Sequence, residues 1–466
     1  MMHTRRAAVL FWFGVGTFLA AARLCHRDFL WPDEDYHLAA AIQILHGKAL
    51  YRDVWYDKPP LSAMVYALLG APTGWSLRFV DALFALGCCG LAYRFAAQLW
   101  SRREGFIAAG LLAFFLVFDT PSAVIPLEPD TLLLAPNFAA VYLAWGRRPF
   151  WSGLVCGVGF LLNTKAVFVL AACAVFGMAG WPLLLLGFLL PNIAVLGWLQ
   201  WTGGLPDYVA QVWRWGLLYA ADSAGRVAVG RGIQLMLNWA WLHAALLIPA
   251  AACFWWREPS AVRWRLGLWT AISLVAVGVG WRFYPHYFMQ ILPPLAIAGS
   301  RGISQMFVRA RPALLVAMLV ALVPALRFQP FRTAQEADMG RDSKNAARLI
   351  KGLQRPGDTI FIWGSRPDIV ALTRLPIASP LWDSQPLTGV PADRHIATSR
   401  PLHEEWSREN RQELARSRPT IMVDGLSGFN LALGLQNYPD LAAWFQRYCP
   451  AASTGRTVIY RLCERR

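Results

Sequence analysis

Long apolar runs alternating with short arginine-bearing loops constrain this chain more than any other feature. About 20 apolar residues cross a bilayer as a helix, because every backbone amide has to be satisfied inside lipid. Candidate spans lie near residues 7–23, 77–99, 106–120, 131–145, 151–163, 166–179, 183–200, 236–256, 266–281, 287–300 and 312–327. That is about eleven crossings by the ~20-residue rule. Only 15% of the residues are charged, against about 25% in soluble proteins, so the chain reads as a polytopic membrane protein. Arg5 and Arg6 before an apolar core also fit a signal peptide, but the run is read as an uncleaved first span.

The arginines orient the bundle. With Arg5 and Arg6 in the cytoplasm, alternation places the loops 101–104, 146–149, 257–265 and 300–312 on the same side, and all are basic. Only 179–182 is neutral. This is the positive-inside pattern, so the net charge of +16 needs no nucleic-acid partner. The extracytoplasmic segments are then 24–60, 120–130, 163–165, 201–235, 281–286 and everything after 327.

After 327 the composition becomes that of a soluble domain. DTIFIWG (358–364) and PTIMVDG (419–425) read as buried strands, 456–463 as a final strand, and 366–374 and 439–447 as helices. The expected division is thus a transmembrane module over 1–327 and a small extracytoplasmic α/β domain over 328–466. Residues 34–46 carry Leu38, Ala41, Ile42 and Leu45 on one helical face and read as a helix lying at the interface. The eight cysteines show no metal spacing. Cys449 and Cys463 flank a turn, and spacing leaves open whether they pair. No internal repeat or P-loop is present.

This topology collects charged groups on one side. They are Asp33, Glu34 and Asp35 in WPDEDYH, Asp57 and Lys58 in YDKPPL, Glu128 and Asp130 in IPLEPDTLLL, Lys165 at a turn, and Arg282, Tyr284, His286 and Tyr287 in WRFYPHYF. Asp33 also suits a helix N-cap, with Glu34 and Asp35 favoured in the first turn. Pro59 and Pro60 suit the start of a helix. Arg282 and His286 also suit headgroup anchoring. Taken together, acids and cations at a bilayer surface suit a lipid-phosphate donor. A carboxylate takes a proton from an acceptor hydroxyl or amine. Lys58 and Arg282 neutralise a phosphate leaving group, with hydrogen bonds from Tyr284 and His286.

WPDEDYHLAAAIQILHGKALYRDVWYDKPPL resembles the first external loop of bacterial GT-C glycosyltransferases. The similarity is to family 39, the protein O-mannosyltransferase-like group, and to the lipid A aminoarabinose transferases. WRFYPHYFMQILPPLA resembles a late segment of the same group. The resemblance implies a mainly α, GT-C-type transmembrane bundle with a small C-terminal α/β domain. It also implies inverting transfer from a polyprenyl-phosphate sugar to an envelope acceptor (protein, lipid A or another glycan) at the bacterial plasma membrane. Asp33 matches the first acid of the family's acidic pair, as base or acceptor-binding acid, and Glu34 matches its neighbour. Asp57 and Lys58 match the acidic–lysine pair, with Lys58 on the donor phosphate. Asp130 resembles the second-loop acid, with Glu128 as the competing choice. Arg282, Tyr284 and His286 hold the phosphate, and Asp57, Glu128 and Tyr287 support. No metal or cofactor is expected. The competing readings are a transporter or flippase of lipid-linked sugars, which places charges near the midplane in repeated halves, and a ligase using a lipid-diphosphate carrier.

Overall fold

The computed structural model describes residues 2–176, 180–226, 229–255, 260–308, 312–331, 338–390 and 401–463. Parts of three expected cytoplasmic loops, including Arg257, Arg309 and Arg311, lie outside the described residues. The chain divides into two compact units. One comprises Met1–Trp31, Thr73–Val195 and Ser223–Ala334; the other comprises Pro32–Pro72, Leu196–Asp222 and Gln335–Arg466.

The first unit is helical, with a helix at each expected span, among them Met2–Leu24, Gly74–Leu99, Arg102–Phe115, Leu134–Trp145, Pro149–Leu162, Ala166–Phe176, Ser260–Gly278 and Leu292–Val308. Arg5–Leu24, Gly74–Leu99 and Trp181–Thr202 are long and apolar enough to cross a membrane singly. Val229–Leu242 and Ala244–Trp255 qualify only as a pair bent by 86°. At that bend the buried His243 has its ring nitrogens 2.9 Å from Trp239 O and 3.0 Å from Asp119 Oδ2. The remaining helices are shorter, so their lengths do not fix the number of crossings.

Glycine sets the closest helix crossings. A Cβ on Gly153 would stand 1.9 Å from Leu184 O, and one on Gly302 would stand 1.8 Å from Pro249 O. Small residues let backbones approach in this way, which is how helices pack in lipid without a hydrophobic driving force. The stretch 116–125 is held by buried guanidinium groups. Arg23, paired with Asp81 at 3.2 Å, donates to Leu116 O at 2.7 Å and to Val124 O at 3.0 Å. Arg78 donates to Phe29 O at 2.8 Å and Ile125 O at 3.3 Å. These bonds satisfy loop carbonyls away from water and fix the approach to Glu128 and Asp130.

The second unit contains a four-stranded sheet: β1 (Ile360–Trp363), β2 (Ile421–Asp424), β3 (Tyr448–Ser453) and β4 (Val458–Leu462), in the order β1-β2-β4-β3. β1 and β2 are parallel and fully buried, as continuous apolar runs demand. β4 pairs antiparallel with both β2 and β3. Cys449 and Cys463 form a disulfide beside the β3–β4 pair. The buried Arg366 donates to Ser343 Oγ at 2.9 Å, Gly425 O at 3.0 Å and Asp342 Oδ2 at 3.1 Å, tying the helix Asp338–Leu353 to the strand ends.

Two sequence expectations are corrected here. The helix Glu34–Leu45 has ten of its twelve residues buried, charged ones included, so it is an internal helix of this unit and not an interfacial one. The segment 32–72 also packs with residues 335–466, whereas the sequence grouped it with the bundle. Polar clamps are the reason. Gln43 donates to Leu375 O at 3.1 Å and accepts from Ile377 N–H at 2.9 Å; Trp55 N–H donates to Pro380 O at 2.9 Å; and Arg374 donates to Ala71 O at 2.9 Å. A hydrophobicity scan does not see such bonds.

Candidate active site

The expected site residues fall into two groups, one in each unit. In the helical unit three connections bring theirs together: Glu128 and Asp130 precede Leu134–Trp145, Lys165 links Pro149–Leu162 to Ala166–Phe176, and residues 281–287 follow Ser260–Gly278. Lys165 Nζ lies 2.9 Å from Asp130 Oδ1 and 3.1 Å from the centroid of the Tyr287 ring. Gln290 donates to the same carboxylate oxygen at 3.2 Å. Asn137 donates to Gln290 O at 3.5 Å and accepts from Trp269 at 3.2 Å, so a chain of polar groups reaches Asp130 from inside the bundle. Thr131 donates to Glu128 at 3.5 Å.

Arg282 is half-buried and donates to Tyr284 OH at 3.3 Å, while Tyr284 stacks on His286. On either side of Arg282, Trp281 and Phe283 hold φ of 52° and 49°. The left-handed region is unfavourable for bulky aromatic residues, and such strain concentrates at functional sites. One oxygen or nitrogen each from Glu128, Asp130 and His286 lie within 4.8 Å of one another. That set has the chemistry to take a divalent cation, although Lys165 already supplies a positive charge at Asp130.

In the second unit, Asp33 stands at the N-cap position of Glu34–Leu45, but its side chain makes no capping hydrogen bond. The capping reading is therefore corrected: Asp33 is exposed, with φ of 72°. Glu34 is fully buried, and so is Asp35. Lys58 Nζ lies 3.1 Å from Asp57 Oδ2. The helix behind them starts at Pro60 with Pro59 as N-cap, so the two prolines fix the exit of the chain from this pair. Burial pulls the Lys58 ammonium down, but Asp57, Tyr219 and Asp33 together hold it above its usual value.

An aromatic wall stands behind Asp57 and Lys58. Tyr36 stacks on Tyr56 and on Trp382, with ring centroids 5.3 Å and 5.4 Å apart, and Tyr36 OH accepts from Asp57 N–H at 3.2 Å. Tyr51 OH donates to Lys58 O at 2.8 Å. A ring nitrogen of His37 is 2.5 Å from Tyr56 OH. Burial, assisted by Lys58, pushes the imidazole down to about 3. Asp383, next to Trp382, is pushed up to about 6 by burial and by the charge of Asp57.

Gln290, His37 and Asp383 had no part in the sequence reading, and Lys165 entered it only as a charge at a turn, with no role assigned. Only Lys165 left a signal, as a lone cation between two apolar runs. The others become visible only when distant segments pack.

The fold is shared, over nearly the whole chain, with solved structures of two other proteins. Residues 57–198 match the family described as dolichyl-phosphate-mannose-protein mannosyltransferase, a match that starts at the Asp57–Lys58 pair. The whole chain is similar in structure to ArnT from Cupriavidus metallidurans bound to undecaprenyl phosphate, with TM-score 0.62, 14% identity and 98% of each chain covered. It is also similar to the oligosaccharyltransferase AglB from Archaeoglobus fulgidus in complex with an inhibitory peptide and a dolichol-phosphate. There the TM-score is 0.55 and the identity 12%, with all of this chain and 75% of the other covered. Comparison of the sequence with curated proteins finds no match.

Proposed function

We propose that this chain is an integral-membrane, inverting glycosyltransferase. It moves a sugar from a polyprenyl-phosphate donor to an envelope acceptor on the outer face of a bacterial plasma membrane. The observation that carries this reading is the cluster in which three separate helix connections bring Lys165 and His286 together with Glu128, Asp130 and Tyr287, with Arg282 joined to His286 through Tyr284. Cations and hydroxyls so placed suit a phosphate group, and their position at helix ends suits a lipid carrier. The lipid phosphates bound by ArnT and AglB support a donor of this class. The arginine-rich loops support an extracytoplasmic site, and the Cys449–Cys463 disulfide supports an oxidising compartment for the C-terminal unit.

In the proposed reaction an acceptor hydroxyl or amine attacks the anomeric carbon. Its proton passes to Asp33, the bond from that carbon to the phosphate oxygen breaks, and polyprenyl phosphate leaves. Arg282, Tyr284 and His286 are assigned to the phosphate, and Lys58 to charge neutralisation on the leaving group. Asp57 orients Lys58, Lys165 orients Asp130, and Glu34 and Glu128 support the two acids. Asp33→Asn and Arg282→Ala are expected to abolish transfer in membranes while inserting normally. Full activity in both variants removes the assignment.

A further inference from the structure

The second unit has a cavity of about 290 Å³ for which the proposed reaction has no use. This is at the small end of the ~300–1,000 Å³ of ligand sites, room for a sugar ring but not for a lipid chain. Its floor is formed by the buried Tyr51, Trp55 and Leu381 and the amide of Gln211, and its lining surface is mostly polar. Its rim carries Asp207, Glu409 and Glu413. Among the described residues that line it the cation is Arg52, engaged with Asp53 at 2.9 Å and with Thr202 O at 3.0 Å, while the Arg214 guanidinium sits over one side of the Trp406 ring at 5.2 Å.

Two features mark this as a built site. On the helix Glu404–Leu414, Trp406, Glu409, Asn410 and Glu413 follow at spacings of three, four and seven, so one helical face presents an indole and two carboxylates to the cavity. Like charges four apart destabilise a helix, and Asp207 adds a third acid across the cavity; a cationic occupant relieves that repulsion. The wall opposite contains Ala210 and Gln211 from the π-helical turn Val209–Arg214, a rare conformation that is frequent at functional sites. Gln211 is fixed there by accepting from Tyr56 N–H at 2.8 Å and donating to Tyr51 O at 3.0 Å.

We infer that this cavity is a carbohydrate subsite that takes one ring of the acceptor and selects an amine-bearing ring over an anionic one. Indole faces cover the apolar side of a sugar ring, and carboxylates accept from its hydroxyls and most strongly from an ammonium. Assigning the ring to the acceptor rests on the glycosyl-transfer reading; the binding itself does not.

The test is saturation-transfer NMR on the purified full chain in lipid nanodiscs, with glucosamine, glucose, glucuronate and ethanolamine as probes. Glucosamine is expected to bind best and glucuronate least. The double substitution Glu409→Gln with Glu413→Gln is expected to weaken glucosamine about tenfold, the loss of one charge-assisted hydrogen bond. Glu404→Gln, on the same helix but outside the cavity, is the control and is expected to change nothing. Unchanged glucosamine binding in the double variant overturns the inference. So does glucuronate binding as well as glucosamine, or ethanolamine displacing glucosamine at equal concentration, which means an amine site without a sugar site. Selective sugar binding by a chain that transfers nothing overturns the glycosyltransferase reading alone.

Discussion

Lys165 reaches Asp130 at 2.9 Å from a different helix connection, with the two side chains only 13% and 7% exposed. Removing one partner of a buried pair leaves an uncompensated charge and costs roughly 3–5 kcal/mol, whereas replacing both by apolar groups is often neutral. Lys165→Met is therefore expected to destabilise strongly, and Lys165→Met with Asp130→Leu to recover most of the thermal stability without recovering transfer. Thermal unfolding in detergent, paired with a transfer assay, separates the two effects.

Two buried groups of the second unit make opposite demands on pH. His37 is held down at about 3, so the stability it contributes is present above its usual 6.5 and is lost as pH falls below that. Asp383 is held up at about 6, so its contribution is present below the usual carboxylate value near 3.8 and is lost as pH rises toward 6. Between about pH 4 and 6 the two slopes oppose, since each pKa unit corresponds to about 1.4 kcal/mol. Asp383→Asn should leave a protein whose stability falls on acidification below pH 6.5. His37→Gln should leave one whose stability falls as pH rises from 4 to 6. Unfolding midpoints across pH 4–7 check both signs, and parallel profiles in the two variants contradict the assignment.

The bundle and its charged connections were legible because apolar runs and arginine placement are one-dimensional signals. So were β1 and β2, whose buried apolar stretches end in glycine. The packing of 32–72 with the C-terminal residues was not legible, because it depends on Gln43, Trp55 and Arg374 finding backbone partners some 300 residues away. The buried state of Glu34 and Asp35 was hidden for the same reason: a helix with one clear apolar stripe gives no sign that its polar face is covered too.

Asp33 combines exposure, no capping bond and φ of 72°. Glycine adopts that conformation without a Cβ penalty, so Asp33→Gly is expected to stabilise the chain by roughly 1 kcal/mol and to abolish transfer. A gain of stability with loss of activity is the mark of strain kept for function. Asp33→Asn provides the comparison, since it keeps the side-chain volume and removes the base. Destabilisation by the glycine means that the backbone conformation is not strained.

Glu128, Asp130 and His286 could hold a cation, yet Lys165 already faces Asp130. Transfer is therefore expected to survive EDTA, with the ammonium supplying the local positive charge. Loss of activity in EDTA and its return with a divalent ion would turn this trio into a metal centre and reassign Lys165.

The closest crossing in the bundle gives a sharper test of the fold than any charge. At Gly302 an added Cβ would lie 1.8 Å from Pro249 O and 2.6 Å from Pro249 C. These are backbone atoms, so the helices Ala244–Trp255 and Leu292–Val308 have to part for even one methyl group. Overpacking of this kind costs about 1–3 kcal/mol. At Gly352, in the exposed last turn of Asp338–Leu353, a Cβ meets nothing within 4 Å. There the helix gains about 0.5–1 kcal/mol from alanine. Gly302→Ala should lower the unfolding midpoint and Gly352→Ala should leave it unchanged or raise it. Because Leu292–Val308 follows directly on the segment 285–291, Gly302→Ala should also raise the KM for the lipid donor, an effect Gly352→Ala should not share.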